Sequence, residues 1–376
     1  MKVSIALATY NGERWLREQL DSLAGQTLPP HELVVSDDQS ADRTVEVVKE
    51  FAAGSSFPVR VIRNDVRLGC ADNFINALRH CTGDVVAYCD QDDVWNADKL
   101  ERCMAAMGSD TNVTLVHHDC EEVSSDLRPL GIVLRPTGNP TRMRGSGQYS
   151  VIGIPAQGCS MLLHRRTADA VLKYWPEAHV RYVARTGSRG DLSHDIATLH
   201  IASILGTVVY LSDVLILHRR HELNTWSPDL ARSHSSSPLK LARRVAALED
   251  YARAGKITAS MYEEMAERAE ADGDKRVARY LVRVAHRDLK GARLCAGRAD
   301  LYSARSRLSR LARFAKMVSS GVYGGLDGAL GGVRSAFKDL MVALAGPGAL
   351  HLLEKVRTKL RLNFHQHELH KCRRPM

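Results

Sequence analysis

Two periodicities alternate along the first part of the chain. Val3-Ser4-Ile5-Ala6-Leu7 is a continuous apolar run of strand length, and from Glu13 to Gly25 the residues Trp15, Leu16, Leu20, Leu23 and Ala24 recur on one helical face. Leu33-Val34-Val35 predicts a short buried strand, Thr44 to Ala53 a helix with Val45, Val48 and Phe51 inward, and Val59 to Ile62 another strand. Asp72 to Cys81 reads as a helix through Phe74, Ile75, Ala77 and Leu78, and Val85 to Cys89 again as a strand. Strand and helix in strict alternation predict an α/β fold, a mostly parallel sheet with helices on both faces.

After Trp95 the rhythm changes. A helix is expected from Lys99 to Met107 and a strand from Val113 to Val116, followed by a Gly-, Pro- and Arg-containing stretch from Asp126 to Gln148. That stretch is long for a plain connection, so it reads as a mobile loop beside a site. A strand at Ser160 to His164, a helix at His194 to Leu205 and a strand at Val208 to Leu217 complete a first domain, residues 1–226. The run around Ser233 to Pro238 reads as a linker, residues 227–237. Residues 238–376 read as a helical region, with segments near 239–254, 258–271, 274–296 and 299–319, a Gly-rich break from Gly321 to Gly332 and two more helices. There is no internal repeat.

Charge divides at the same place. Residues 1–226 hold 23 Lys/Arg against 28 Asp/Glu, whereas residues 227–376 hold 29 against 15, within an overall formal charge of +9. A basic helical region is either a solvated surface or one that meets anionic lipid headgroups. It lacks interleaved aromatics and any reader motif, so nucleic acid is not expected as a partner. The eight cysteines form no C-x-x-C pair and several lie in apolar runs, which predicts small buried thiols rather than disulfides or zinc. No leader and no apolar run of membrane-spanning length is evident, so a cytoplasmic protein is expected, with the inner membrane face as a peripheral location.

Two of the strands run directly into acids: Val34-Val35-Ser36-Asp37-Asp38 and Ala87-Tyr88-Cys89-Asp90-Gln91-Asp92-Asp93. Ligands of open α/β sheets bind outside the carboxyl ends of the strands, so both clusters are expected at one crevice. Five carboxylates there repel one another unless a hard divalent cation, Mg²⁺ or Mn²⁺, joins them to a phosphate-bearing substrate. Asp42, just ahead of a helix, reads more simply as a cap.

Taken together, the run Val3 to Gly12, the Asp37-Asp38-Gln39-Ser40 turn, Asn73 after Gly69, Thr82-Gly83-Asp84 and Asp90-Gln91-Asp92-Asp93-Val94-Trp95 resemble glycosyltransferase family 2, of the GT-A fold. The Asp-Gln-Asp-Asp-x-Trp form is most similar to rhamnosyltransferase-like members, and the resemblance spans residues 1–226. It implies an inverting transfer of a sugar from a nucleoside-diphosphate donor to an acceptor hydroxyl, in polysaccharide or glycolipid assembly. Tyr10 would lie against the base, Glu13 would shape that pocket and Asp38 would accept a base N–H; Thr9, Asn73 and Gln91 would join the donor site. Asp90 would approach the ribose or the metal, and Asp92 would hold the metal. The segment from Arg219 to Asn224 resembles the family's Arg-x-His-x-x-Asn, in which His221 would complete the metal shell and Arg220 would meet a phosphate. Asp195, at the head of a helix after Ser193-His194, would be the catalytic base, with Asp191 as the competing candidate; His194 stands where the family often has Glu. Gln157-Gly158-Cys159-Ser160 resembles the loop ahead of an acceptor-facing strand.

Other classes fit less well. A nucleotidyltransferase needs a Gly-rich basic loop after the first strand, an aspartyl-phosphate phosphatase needs an Asp where Thr9 and Tyr10 stand, and there is no G-x-x-x-x-G-K-[ST]. The alternative is a degenerate domain serving as a scaffold in polysaccharide assembly, against which the acids at 38, 90, 92 and 195 stand intact. Base, sugar, acceptor, linkage and oligomeric state stay open, with a thymidine diphosphate deoxysugar favoured by the resemblance.

Overall fold

The computed structural model describes residues 1–134, 142–144, 157–175, 194–222, 224, 238–324 and 332–347. Ser193, Asp191 and the expected linker lie outside the described residues. Contacts divide the chain into two compact units, Met1–Thr225 with Ser260–Val284, and Trp226–Ala259 with Ala285–Met376.

The first unit is built on strands β1 (Val3–Thr9), β2 (Glu32–Asp37), β3 (Val59–Arg63), β4 (Val85–Cys89), β5 (Val94–Trp95), β6 (Val113–Val123), β7 (Pro129–Leu134), β8 (Arg142–Arg144), β9 (Leu162–His164) and β10 (Thr207–Arg219). They form one sheet in the order β3-β2-β1-β4-β9-β6-β10-β5, with β7 paired to β6 and β8 to β10. The first four strands are mutually parallel, β6 and β10 are parallel, and β9 runs antiparallel between the two sets. Helices α1 (Glu13–Ala24), α2 (Thr44–Gly54), α3 (Cys70–Arg79), α4 (Lys99–Met107), α5 (Arg165–Tyr174) and α6 (His194–Leu205) connect and cover the strands. The mixed, mostly parallel sheet expected from the alternation is therefore present.

Parallel pairing decides where the chemistry sits. Thr9 lies beside Asp37 and Leu7 beside Cys89 in the register of β1 with β2 and β4. The loops leaving these three strands consequently emerge at one edge of the sheet. Behind them the core is dry: Ile5, Leu7, Leu16, Leu20, Leu33, Val35, Val85 and Ala87 have no exposed surface. At about 25 cal/mol per Å² of apolar area, such burial is the main favourable contribution to holding the edge rigid.

Several sequence expectations are corrected. The stretch from Asp126 is not all loop, because β7 and β8 lie within it and extend the sheet. The Ser160 to His164 strand begins only at Leu162, after a single 3₁₀ turn at Gly158–Ser160, and Arg165–Tyr174 forms a helix that the apolar pattern alone did not single out. Ala24 is exposed, while Gln19 takes a buried place on α1. The helical segments expected at 239–254 and 258–271 are one helix, α7 (Pro238–Ala271), and the next is α8 (Lys275–Ser303). Residues 260–284, grouped by the sequence pattern with the basic region, cluster with the first unit. The reason is visible in their contacts: Tyr262 Oη meets His200 Nδ1 at 2.7 Å, Tyr280 Oη meets Ser203 Oγ at 3.3 Å and the Arg268 guanidinium donates to the Trp175 carbonyl at 3.0 Å.

The second unit contains parts of α7 and α8, then α9 (Arg307–Ser319) and α10 (Gly332–Ala345). Its buried polar centre is Asp339, which accepts from Arg298 Nε at 2.8 Å, Tyr302 at 2.9 Å and Tyr323 at 3.0 Å. One carboxylate with three donors is satisfied well enough to be buried. No helix among the described residues is long and apolar enough to cross a membrane.

Candidate active site

The edge loops are clipped together before any ligand is considered. Gln91 pairs with the Tyr10 backbone through both ends of its amide, accepting from Tyr10 N at 2.8 Å and donating to Tyr10 O at 3.0 Å. The junction is close-fitting at Gly12, where a Cβ would lie 2.2 Å from Gln91 Oε1 and displace that amide. Asn11 adopts φ 48° and accepts from Ala41 N at 2.9 Å, while its own N–H donates to Ser40 Oγ at 2.9 Å. The loops after β1, β2 and β4 thus form a single platform.

On this platform the two acidic clusters behave differently. Asp38, 2% exposed, accepts from Leu68 N at 2.6 Å, Gly69 N at 2.9 Å and Asn64 Nδ2 at 3.2 Å, and so anchors the loop that starts α3. Asp37 accepts from Thr9 Oγ1 and Ser40 N, both at 3.0 Å. At the tip of β4, by contrast, buried Asp93 accepts the Arg219 N–H at 3.0 Å on one oxygen and is met by the Cys159 thiol, while among the described residues its Oδ2 has no other hydrogen-bond partner. Asp90, Asp93 and Cys159 bring one donor atom each to within 4.8 Å of one another. Burial, then the charges of Asp93, Asp92 and Asp195, pushes the Asp90 carboxyl well above its ordinary range. Burial and the neighbouring Asp92 push Asp93 up to about 7.

Asp92 faces a separate set of partners. His221 Nε2 lies 2.8 Å from its Oδ2, and Asn224 Nδ2 approaches the same oxygen at 3.4 Å and His221 Nε2 at 3.2 Å. The imidazole stacks on Trp15 with 3.8 Å between ring centroids. Arg219, 1% exposed, ties this corner down by donating to Asp92 O at 2.7 Å and pairing with Glu18.

Asp195 heads α6. One of its oxygens accepts from Ile196 N at 2.7 Å and the other from Gly158 N at 3.2 Å; burial overrides these bonds and lifts its pKa to about 6. His194 beside it is buried, stacks on Phe74 at 4.0 Å between centroids and is pulled down to about 3 by burial, which keeps it neutral. The four carboxylates meet around Cys70, in the first turn of α3. Its thiol touches solvent yet is enclosed by protein, which raises its pKa, and Asp90, Asp195, Asp92 and Asp38 raise it further in that order. The exposed Cys70 thiol thus lies near enough to feel all four acids.

Residues 4–169 match the model of the glycosyl transferase family 2 family. That stretch of the chain is similar to the glycosyl transferases of family 2. A putative glycosyltransferase, EpsE of Bacillus subtilis, is 36% identical over 104 residues, 28% of this chain and 37% of that protein. A UDP-Glc:alpha-D-GlcNAc-diphosphoundecaprenol beta-1,3-glucosyltransferase, WfgD of Escherichia coli, is 32% identical over 124 residues, 33% and 47%. A dTDP-rhamnosyl transferase, RfbG of Shigella flexneri, is 31% identical over 102 residues, 26% and 35%. The matches thus span less than half the length of these relatives.

The expected site residues fall into two groups. Asp90, Asp92 and Asp195 lie near one another with Asp93, and His221 meets Asp92. Thr9, Gln91, Asn73 and Asp38 are engaged in holding the platform: Thr9 O accepts from Asn73 Nδ2 at 3.1 Å, and Asn73 Oδ1 from Asn64 Nδ2 at 3.0 Å. Glu13 accepts from Arg43 N at 2.8 Å at the start of α2, where Asp42 also accepts from Thr44 N at 3.0 Å. Tyr10 is half-buried with the Arg67 guanidinium 3.8 Å from its ring centroid. Arg220 lies 3.6 Å from buried Glu122.

Sequence reasoning counted Asp93 only within the acidic cluster, quoted Cys159, Arg219 and Asn224 inside motifs without a role of their own, and passed over Lys99. Lys99 carried a usable signal, since it shares a helical face with Cys103 and Met107, both buried.

Proposed function

We propose that the first unit is an inverting glycosyltransferase that moves a sugar from a nucleoside-diphosphate donor to an acceptor hydroxyl. The observation that carries this reading is the grouping of Asp90 and Asp93 within reach of one ion, with Asp92 and Asp195 close enough to raise the Asp90 carboxyl, in a stretch similar to glycosyl transferase family 2. On this reading the donor diphosphate meets the tip of β4 and the acceptor meets Asp195.

A divalent cation fits the donor set. Among the described residues Asp93 Oδ2 has no hydrogen-bond partner beyond the Cys159 thiol, and mutually repelling Asp90 and Asp93 lie within reach of one ion. Asp90 and Asp93 would hold Mg²⁺ or Mn²⁺, with Asp92 and its His221 partner at the rim; when bound, the ion supplies Lewis-acid neutralisation of the leaving diphosphate. The protein's own residues do the rest. Asp195, ionised above about pH 6, takes the acceptor proton as that oxygen attacks the anomeric carbon. Neutral His194 and Phe74 form the wall that orients the carboxylate, and Gln91 keeps Tyr10 in position for stacking against the base.

The names of WfgD and RfbG support a lipid-linked acceptor and a deoxysugar donor such as rhamnose. The excess of Lys/Arg in residues 227–376 supports peripheral contact with an anionic, inner-face membrane. Co-sedimentation with anionic against neutral vesicles tests that contact, and equal absence from both pellets rejects it.

The transfer itself is tested with a panel of nucleoside-diphosphate sugars and Mn²⁺, comparing the parent with Asp195→Asn. The variant is expected to bind donor as the parent does while transfer falls about 10³-fold, within the range for loss of a general base. Undiminished transfer would remove Asp195 from its role and turn attention to Asp191.

A further inference from the structure

Lys99 opens α4 with only 1% of its surface exposed, an unusual place for an ammonium. Its Nζ sits 3.1 Å from the centroid of the Trp95 ring and donates to the Cys159 carbonyl at 2.9 Å. Burial holds the nearby Cys89, Cys103 and Cys159 thiols protonated, and Asp93 is an acid that feels the Lys99 charge. Burying a lysine is costly, and an apolar side chain of similar length would fill the same space. What the ammonium adds is a donor for one particular carbonyl and a π contact that fixes its position.

That carbonyl belongs to the 3₁₀ turn Gly158–Ser160. The turn closes on itself through Ser160 N to Gln157 O at 3.0 Å and Met161 N to Gly158 O at 2.9 Å. Its outward donor, Gly158 N, reaches Asp195 Oδ2 at 3.2 Å. The other Asp195 oxygen is bonded within its own helix, so among the described residues the contact from Gly158 ties the carboxylate to a separate element. The approach is close: a Cβ at position 158 would lie 2.7 Å from His194 Nε2 and 3.4 Å from Asp195 Cβ. A continuous path therefore runs from the Trp95 ring through the Lys99 ammonium, the Cys159 carbonyl and the Gly158 N–H to the Asp195 carboxylate.

We propose that Lys99 is a positioning residue for the transfer reaction, holding the Gly158–Ser160 turn so that Gly158 N–H aims Asp195 at the acceptor hydroxyl. The inference rests on Asp195 being the base. It assigns Lys99 no contact with donor or acceptor, so its removal acts on the reacting geometry and leaves binding alone. Misplacing a catalytic group by about 1 Å is enough to cost about 100-fold in rate.

The test uses the full chain and three variants: Lys99→Met, which fills the space without donating, Gly158→Ala, which pushes the turn off Asp195 from the other end, and Asp195→Asn. Lys99→Met is expected to keep the parent's melting temperature, nucleoside-diphosphate affinity and donor KM, while kcat for transfer falls about 100-fold. The acid limb of its pH profile moves to higher pH, because a hydrogen bond that favours the carboxylate form is weakened. Gly158→Ala is expected to show the same split, and it carries the test if Lys99→Met fails to fold. Parent-like kcat in Lys99→Met, or a loss of nucleotide affinity matching the loss of rate, overturns the proposal. If Asp195→Asn itself retains full transfer, the base assignment falls instead; an inactive Asp195→Asn beside a fully active Lys99→Met removes only the role of Lys99.

Discussion

Strands β2 and β4 both run into closely spaced aspartates at the same edge of one sheet, yet Asp37 and Asp38 are surrounded by donors while Asp90 and Asp93 share the Cys159 thiol and have few others. Two backbone N–H groups and an amide converge on Asp38, and a hydroxyl and a backbone N–H on Asp37. At β4, one backbone N–H and the Cys159 thiol reach Asp93, and burial together with the neighbouring aspartates still raises the pKa of both Asp90 and Asp93. The comparison separates acids that build a platform from acids that wait for a counter-charge. Buried like charges with few donors are unstable by themselves, so they are expected to be relieved by a ligand, whereas satisfied ones are expected to resist change.

Substitution at the two tips therefore gives opposite signatures. The largest effect is expected at β4: Asp90→Asn loses transfer by about 10³-fold, the scale of removing electrostatic stabilisation of a transition state, with the melting temperature held or raised because a repulsion is removed. Asp38→Asn is expected to do the reverse to stability. Charge-assisted bonds contribute about 1.5–3 kcal/mol each, so losing the charge beneath Leu68 and Gly69 lowers the melting temperature. Equal loss of stability in both variants would break the distinction.

A second contrast is in pH. Asp195 is lifted to about 6, so transfer is expected to rise with pH and reach half its limit near that value, the acid being inactive as a base when protonated below it. A rate measured from pH 5 to 8 that stays flat would contradict this. The mildest effect concerns Cys70, the one described cysteine that is exposed. Alkylation of its thiol, followed by peptide mass mapping, is expected to slow several-fold when a nucleoside diphosphate and Mn²⁺ fill the cleft, on the mass-action grounds that bound ligand excludes the reagent. Unchanged labelling at saturating nucleotide would place the ligand elsewhere.

Much of the edge was legible in the sequence, because parallel strands separated by helices must deliver their carboxyl ends to one side. What was not legible is which acids are satisfied. The donors to Asp38 come from Leu68 and Gly69, thirty residues on, and the surroundings of Asp93 depend on a turn at Gly158–Ser160 and on Arg219 far along the chain. Tertiary donors of that kind leave no periodicity. Asn73 and Gln91 carried motif positions and were expected at the donor; both are engaged in clipping loops together. The strands β7 and β8 escaped for a different reason, since Gly131 and the surrounding Pro and Arg residues mask an edge-strand pattern.

The central claim is that the β4 acids form a cation-dependent diphosphate site. Calorimetric titration of nucleoside diphosphates into the parent and Asp90→Asn, each with and without Mn²⁺, addresses it most directly. The parent is expected to bind at least about tenfold more tightly with Mn²⁺, a difference of about 1.4 kcal/mol, and the variant to show no such gain. Affinity that is the same in all four titrations would contradict the account.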